Sequence, residues 1–225
     1  GKLTDIQTPL EIGFPLDEAG RSMALRVTPT WLQAGTPKGY SVAQFGTSGL
    51  ASVGRQEDSG VGLAVAYRDE DRGLKGDLGV NPLGFTYSTA VGGISLERAL
   101  QDAPDYRYTL SASRRSVTDS VTSFAGSRDP RSGVEWGGVT ANGVRAELSH
   151  DDQRTGAYGY ASAHRLLGEH VEANNRFELG SGIYWYLHNT RDSRLTLGVN
   201  GTAMSYSDNQ NFYTYGHGGY FSPQK

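Results

Sequence analysis

Residues 176–188 read RFELGSGIYWYLH. Phe177, Leu179, Ser181, Ile183, Trp185 and Leu187 share one parity, while Arg176, Glu178, Gly180, Gly182, Tyr184, Tyr186 and His188 share the other. Successive side chains of a strand point to opposite faces, so this alternation specifies a β-strand with one apolar and one polar face. The segment exceeds the ~5–6 residues of an ordinary soluble strand and meets the ~9–11 that a tilted strand needs to cross a bilayer.

The same period of two runs outward in both directions. Downstream, Leu195, Leu197, Val199 and Ala203 alternate with Arg194, Thr196, Asn200, Thr202 and Tyr206. Upstream, Ala157, Gly159, Ala161 and Ala163 alternate with Tyr158, Tyr160, Ser162 and His164. Val144, Ala146 and Leu148 alternate with Arg145, Glu147 and Ser149, and Tyr106, Tyr108, Leu110 and Ala112 with Arg107, Thr109, Ser111 and Ser113. Apolar parities also run through 6–16, 23–31, 61–67 and 74–80. Residues 83–96 read as one further strand, with a bulge or bend at Gly92-Gly93, for a total of ten strands.

Between the strands, 17–20, 69–73, 151–156 and 189–193 are short polar turns. Pro104 makes 97–105 read as a loop, and 167–176 reads as a polar connection. Two stretches are far longer than the ~2–6 residue connections of compact domains. One is 33–59, rich in Gly, Ser and Thr, with a hint of order only near 40–45. The other is 114–139, where Arg114, Arg115, Asp119, Arg128, Asp129, Arg131 and Glu135 precede Trp136.

Composition narrows the class. The 225 residues include 31 Gly, 13 Tyr and no Cys, with a formal net charge of −3. Abundant Gly disfavours a helical bundle, and the absence of Cys excludes disulfides, thiolate metal sites and Cys nucleophiles. The slightly acidic balance offers nucleic acid no attraction. No secretory signal opens the chain, which implies a mature protein or a piece of a longer one. Mean hydropathy is −0.49, a value compatible with a membrane barrel because only alternate strand residues face lipid.

From the pattern alone, two architectures stay open. A soluble sandwich turns its polar face to water. A membrane barrel turns its apolar face to lipid and its polar face to a wet lumen. Strand length and the alternation of short and long connections favour the barrel.

Specific motifs then accumulate. They include Ala112-Ser113-Arg114-Arg115, Val117-Thr118-Asp119-Ser120, Phe124-Ala125-Gly126, Asp129-Pro130 and Ser132-Gly133. Trp136-Gly137-Gly138-Val139, Gly168-Glu169-His170-Val171-Glu172 and the run Gly216-His217-Gly218-Gly219-Tyr220-Phe221-Ser222-Pro223-Gln224 follow, and Asn81-Pro82-Leu83-Gly84-Phe85 fits with them. As a set they resemble the C-terminal domain of cellulose synthase operon protein C, the outer-membrane subunit of bacterial cellulose secretion systems. The resemblance covers most of the chain from about Gly60.

The resemblance implies an all-β fold, an antiparallel transmembrane outer-membrane β-barrel that passes a cellulose chain out of the cell. It implies as partners the glucan, outer-membrane lipid, a periplasmic tetratricopeptide-repeat region of the same protein and the inner-membrane cellulose synthase complex. No 34-residue helical repeat occurs here, so that periplasmic part is expected to be absent. Ten strands fall short of the ~16 that the resemblance implies, so 1–225 is expected to be a single, incomplete barrel domain with strands missing after 225. The competing functions are a soluble periplasmic carbohydrate-binding β-sandwich and a general diffusion porin.

A polysaccharide conduit needs many weak sites rather than one tight one. Tyr158, Tyr160, Tyr184 and Tyr186 are candidate stacking rails, or else interfacial girdle residues. Arg107, Arg145, Glu147, Arg176, Glu178 and Arg194 are candidate lumen residues, more readily as a bracing network of ion pairs than as substrate contacts. Arg114, Arg115, Asp119, Asp129, Arg131 and Trp136 are candidates for a gating or constriction loop, or else belong to a solvated extracellular loop. Trp185, on the apolar parity, belongs to a girdle or faces lipid. No nucleophile elbow, P-loop or zinc-protease motif occurs, and His150, His164, His170, His188 and His217 lack metal-ligand spacing. The expectation is therefore a non-enzyme without cofactor or metal, with Glu147 and Glu178 left open as a glycosidase pair.

Overall fold

The computed structural model describes residues 3–35, 56–128, 133–208, 213–214 and 217–219. Its strands are β1 (Leu3–Gln7), β2 (Leu10–Pro15), β3 (Arg21–Ala34), β4 (Gln56–Asp69), β5 (Leu74–Leu83), β6 (Ala90–Leu100) and β7 (Ala103–Ser116). After one helical turn, α1 (Val121–Phe124), come β8 (Ser127–Arg128), β9 (Glu135–Asp151), β10 (Thr155–Glu169), β11 (Val171–Asn189) and β12 (Arg194–Tyr206). Short β13 (Tyr213–Thr214) and β14 (His217–Gly219) follow.

The long strands form an all-β antiparallel meander in the order β3-β4-β5-β6-β7-β9-β10-β11, flanked by β1 and β2 on β3 and by β12 on β11. The sheet is barrel-like but not closed: among the described residues, β2 and β12 each pair on one side only. β1 and β2 are one arm broken at Thr8-Pro9. Opposite the break, Thr8 N–H donates to the Pro29 carbonyl at 3.0 Å. Pro29 has no N–H to return on that side and Pro9 has none either, so the ladder lapses there.

Register carries one parity across the whole sheet. Phe14, Met23, Tyr67, Gly76, Ile94, Ala112, Val144, Ala163 and Phe177 form one continuous cross-strand row. One residue along, Gly13, Ala24, Ala66, Asp77, Gly93, Ser113, Gly143, His164, Arg176 and Tyr206 form a row on the opposite face. The exposure pattern is the reverse of a soluble sheet. Along β11, Phe177, Leu179, Ile183, Trp185 and Leu187 are exposed, while Arg176, Glu178, Tyr184 and Tyr186 are half-buried. Ile12, Leu78, Leu179 and Val199 are 66%, 68%, 64% and 66% exposed.

Consecutive hairpins place only short turns at one end, while the other end carries the long connections together with the one-residue turn at His170. At the short end, the Asp152 carboxylate Oδ1 accepts the N–H groups of Arg154 and Thr155 at 2.9 and 2.7 Å, which lets Gln153 take a left-handed φ of 65°. The dry core lies at the other end, on the polar face. Leu32, Phe85, Val121, Phe124 and Ala125 pack there, with Phe85 and Phe124 edge to face at 5.1 Å. Val139, Ala141 and Leu166 form an adjoining cluster. α1 is capped by Ser120, whose Oγ accepts the Ser123 N–H at 3.0 Å. One turn has no independent stability, so packing holds it. Gly137 and Gly138, at φ +108° and +59°, kink β9 beneath it; a Cβ on Gly138 would stand 2.7 Å from that of Tyr87.

Several boundaries differ from the sequence reading. Arg114 and Arg115 belong to β7, not to the connection, which runs from 117 to 134. Pro104 lies inside β7, within a register shift where it and Asp105 have no ladder partner, so its missing N–H costs nothing. The expected connection at 167–176 is a single residue, His170 at φ 51°, its Nδ1 held 2.8 Å from the Glu135 carbonyl. Residues 84–89 are turn, and no register shift occurs at Gly92-Gly93. Those glycines give clearance instead, since a Cβ on Gly93 would lie 2.9 Å from the Arg115 guanidinium. Residues 36–55, including the expected order near 40–45, lie outside the described residues.

Candidate functional site

The polar face is the candidate site. Register sets it out as successive rows, Arg145-Ser162-Glu178, then Glu147-Tyr160-Gly180-Thr202, then Arg107-Ser149-Tyr158-Gly182-Asn200. All ten expected wall residues stand on this face: Tyr158, Tyr160, Tyr184, Tyr186, Arg107, Arg145, Glu147, Arg176, Glu178 and Arg194.

The tyrosines lie over glycines of the next strand. Tyr160 faces Gly180, Tyr158 faces Gly182 and Tyr184 faces Gly156. A Cβ added at Gly180 or Gly156 would overlap the opposing ring, and one at Gly182 would come 2.5 Å from Tyr158 Cε1. The missing side chain is what allows each ring to lie against the wall.

The hydroxyls then tie into charges. Tyr160 donates to Glu178 Oε1 at 2.6 Å and sits 3.2 Å from Thr202 Oγ1. Its ring also receives the Arg145 guanidinium, 3.4 Å from the centroid, while Arg145 holds Glu147 at 2.6 Å. Tyr184 and Tyr186, edge to face at 5.6 Å, both donate to Asp151, at 2.8 and 2.6 Å. Arg194 stands 5.1 Å from the Tyr186 centroid. Toward the other side of the sheet, Arg115 grips Asp77 through two 2.5 Å bonds, Arg107 reaches Glu97 at 3.2 Å, and Arg26 reaches Glu11 at 2.5 Å. This is a braced wall of half-buried aromatic rings, with Arg145 covering the face of Tyr160. Glu147 and Glu178 are each engaged by a separate partner, which is bracing rather than the arrangement of an acid–base pair across a sugar bond.

The expected loop residues disperse. Arg114 and Arg115 point to opposite faces of β7, and Trp136, the second residue of β9, is 0% exposed. Asp119 precedes the α1 cap. Asp129 and Arg131 lie outside the described residues. Sequence reasoning passed over Asp77 and Asp151 as acceptors. Both sit on the polar parity, and continuing β9 two residues beyond Ser149 would have found Asp151. Outside the strands, the Asp152 carboxyl is held below its usual range by the Thr155 and Arg154 N–H groups.

Comparison with known proteins gives a consistent result. A family model described as the C-terminus of cellulose synthase operon protein C matches residues 1–225. The chain is 57% identical over 224 residues to cellulose synthase operon protein C of Pseudomonas fluorescens strain SBW25, covering 100% of this chain and 17% of that protein. It is 41% identical over 206 residues to the protein of the same name from Xanthomonas axonopodis pv. citri strain 306, covering 92% and 13%. With that of Escherichia coli strain K12 the figures are 36% over 173 residues, 76% and 14%. The chain spans less than a fifth of the length of each of these relatives.

Proposed function

The chain belongs to the family of the cellulose synthase operon protein C C-terminus, and from that premise we propose that it forms a wall of a bacterial outer-membrane barrel through which cellulose leaves the cell. One observation carries the membrane placement: from β3 to β11 the apolar face is largely exposed while most of the polar face is buried or half-buried, and the edge strand β12 is exposed on both faces. In water such a face would far exceed the few hundred Å² of apolar patch that a soluble protein tolerates. In lipid it is the expected outer surface. The same inversion disfavours the soluble sandwich, whose second layer would have to cover that face.

The free edges of β2 and β12 are then closed by further strands of the same barrel. The glucan slides past Tyr158 and Tyr184, stacking weakly on each ring, and past the Arg145 guanidinium that covers Tyr160, exchanging hydrogen bonds with Asn200, Thr202 and the carboxylates. Many weak contacts hold the chain in line without stalling it. The wall carries out no chemistry; movement is driven by synthesis at the inner membrane, with the periplasmic repeat region guiding the polymer to the barrel. The connection holding α1 lies on the lumen side at the long-connection end, the outer end by the usual asymmetry of such barrels, and acts as a constriction.

Full-length protein in a planar bilayer tests this. Replacing 117–134 by a short turn should raise conductance. Equal conductance would mean that the segment hangs clear of the passage, and no conductance from either protein would refute the channel. Conductance with undiminished cellulose export from cells lacking the protein would favour a general porin.

A further inference from the structure

One row on the apolar face is polar. At the long-connection end, Arg114, Asn142, Arg165 and Asn175 follow one another across β7, β9, β10 and β11. Their parity is that of Ala112, Val144, Ala163 and Phe177, the next row toward the middle of the sheet, so they point outward. Arg114 is held in place by neutral acceptors: the Ala90 carbonyl at 2.9 Å, Thr89 Oγ1 at 3.0 Å and Asn142 Oδ1 at 2.8 Å. Arg165 is exposed and makes no side-chain hydrogen bond or ion pair among the described residues. On the opposite face Arg26, Arg107, Arg115 and Arg145 each hold a carboxylate, while Arg194 bonds the Asn189 Oδ1.

Directly below this row the apolar face sinks into a depression of about 1230 Å³. Its lining includes the small Ala112, Ala146, Ala161 and Ala163 and the larger Phe177 and Leu179. Two guanidiniums without a carboxylate thus stand at the rim of an apolar trough. On the proposed membrane placement, on which this inference rests, the rim lies at the outer interface and the trough in the acyl region.

We propose that the row and the trough together bind a phosphorylated lipid of the outer leaflet. A lipid phosphate is received by Arg165, with Arg114 and Asn142 adding charge and hydrogen bonds, and its acyl chains lie in the trough. Guanidinium suits this task because its planar fork meets two phosphate oxygens at once and sheds water readily. The trough selects a lipid over a soluble anion, since burial of acyl methylenes supplies free energy that inorganic phosphate lacks.

The test uses full-length protein in detergent and native mass spectrometry, with lipid A as probe beside its dephosphorylated form and inorganic phosphate. Lipid A should bind at least about tenfold more tightly than the dephosphorylated form, and Arg165→Gln should remove most of that difference. Ala161→Phe, which fills the trough while leaving the arginines in place, should weaken both lipids. Equal binding of the two lipids by wild type, or unchanged lipid A binding in Arg165→Gln, would overturn the proposal. Displacement of lipid A by millimolar phosphate would overturn it in favour of a plain anion site. Wild-type protein that fails to float with vesicles would instead refute the membrane placement itself.

Discussion

The tyrosine-lined wall of β9–β12 and the dry patch under α1 occupy the same face of the same sheet, yet they are built from opposite chemistry. In the wall, Tyr160, Arg145, Glu147 and Glu178 satisfy one another through charges and hydroxyls and remain half-exposed. Under α1, Leu32, Ala125, Trp136 and Leu166 are at most 1% exposed. A surface meant to pass a hydrated polymer must stay wet and bind weakly. A segment meant to stay seated across that surface needs a dry contact. The backbone differs too: the rows through Tyr158 and Tyr160 run in unbroken register from β9 to β12, whereas at the dry patch β9 kinks at Gly137 and Gly138 and the register shifts on both sides of β10 between 166 and 169.

Breaking the dry patch should have the larger effect. Trp136→Ala leaves a cavity where no solvent reaches, and a loss of about 3–5 kcal/mol is expected. Denaturant unfolding of the full-length protein in detergent measures it. Hydrogen exchange should place the loss first at 117–126, with β10–β11 amides still protected. Uniform loss across all strands would mean that the patch is not a separable unit.

Disturbing the wall should cost less. Gly180→Leu displaces the Tyr160 ring and its bond to Glu178, for an expected loss of about 1–3 kcal/mol. Gly201→Leu is the control, because a Cβ there meets nothing within 4 Å. Equal losses from both would show that the effect is strand propensity and not the ring seat.

The smallest effect concerns the short-turn end. Thr155 and Arg154 N–H groups lower the Asp152 pKa. Its contribution is therefore fully present above the ordinary carboxylate pKa and is lost as pH falls through the lower folded value. Between about pH 6 and pH 3 the thermal midpoint of wild type should fall slightly more than that of Asp152→Asn. Identical pH profiles would remove Asp152 as a support of this turn.

The strands and their faces were legible because a period of two survives over ten or more residues and few side chains break it. The polar-wall residues followed from the same parity. The ends were less legible. Arg114 and Arg115 looked like loop because adjacent arginines interrupt the alternation, when one of them carries the polar rim of the apolar face and the other pairs with Asp77. Pro104 suggested a break, but a register shift accommodates it. His170 turns the chain alone because its backbone adopts a left-handed conformation that sequence does not announce. The dry patch joins Leu32 to Phe124 across the sheet, a contact that no local pattern encodes.

The central claim is that one face of this sheet meets lipid and the other meets water. Residues 1–225 contain no cysteine, so in full-length protein freed of any cysteine elsewhere, single cysteines can be placed in turn at 177–184, spin-labelled, and measured in lipid bilayers for collision with oxygen and with a water-soluble nickel chelate. Oxygen accessibility should peak at 177, 179, 181 and 183, and nickel accessibility at 178, 180, 182 and 184. Nickel accessibility at both parities, or at the odd positions alone, would contradict the claim.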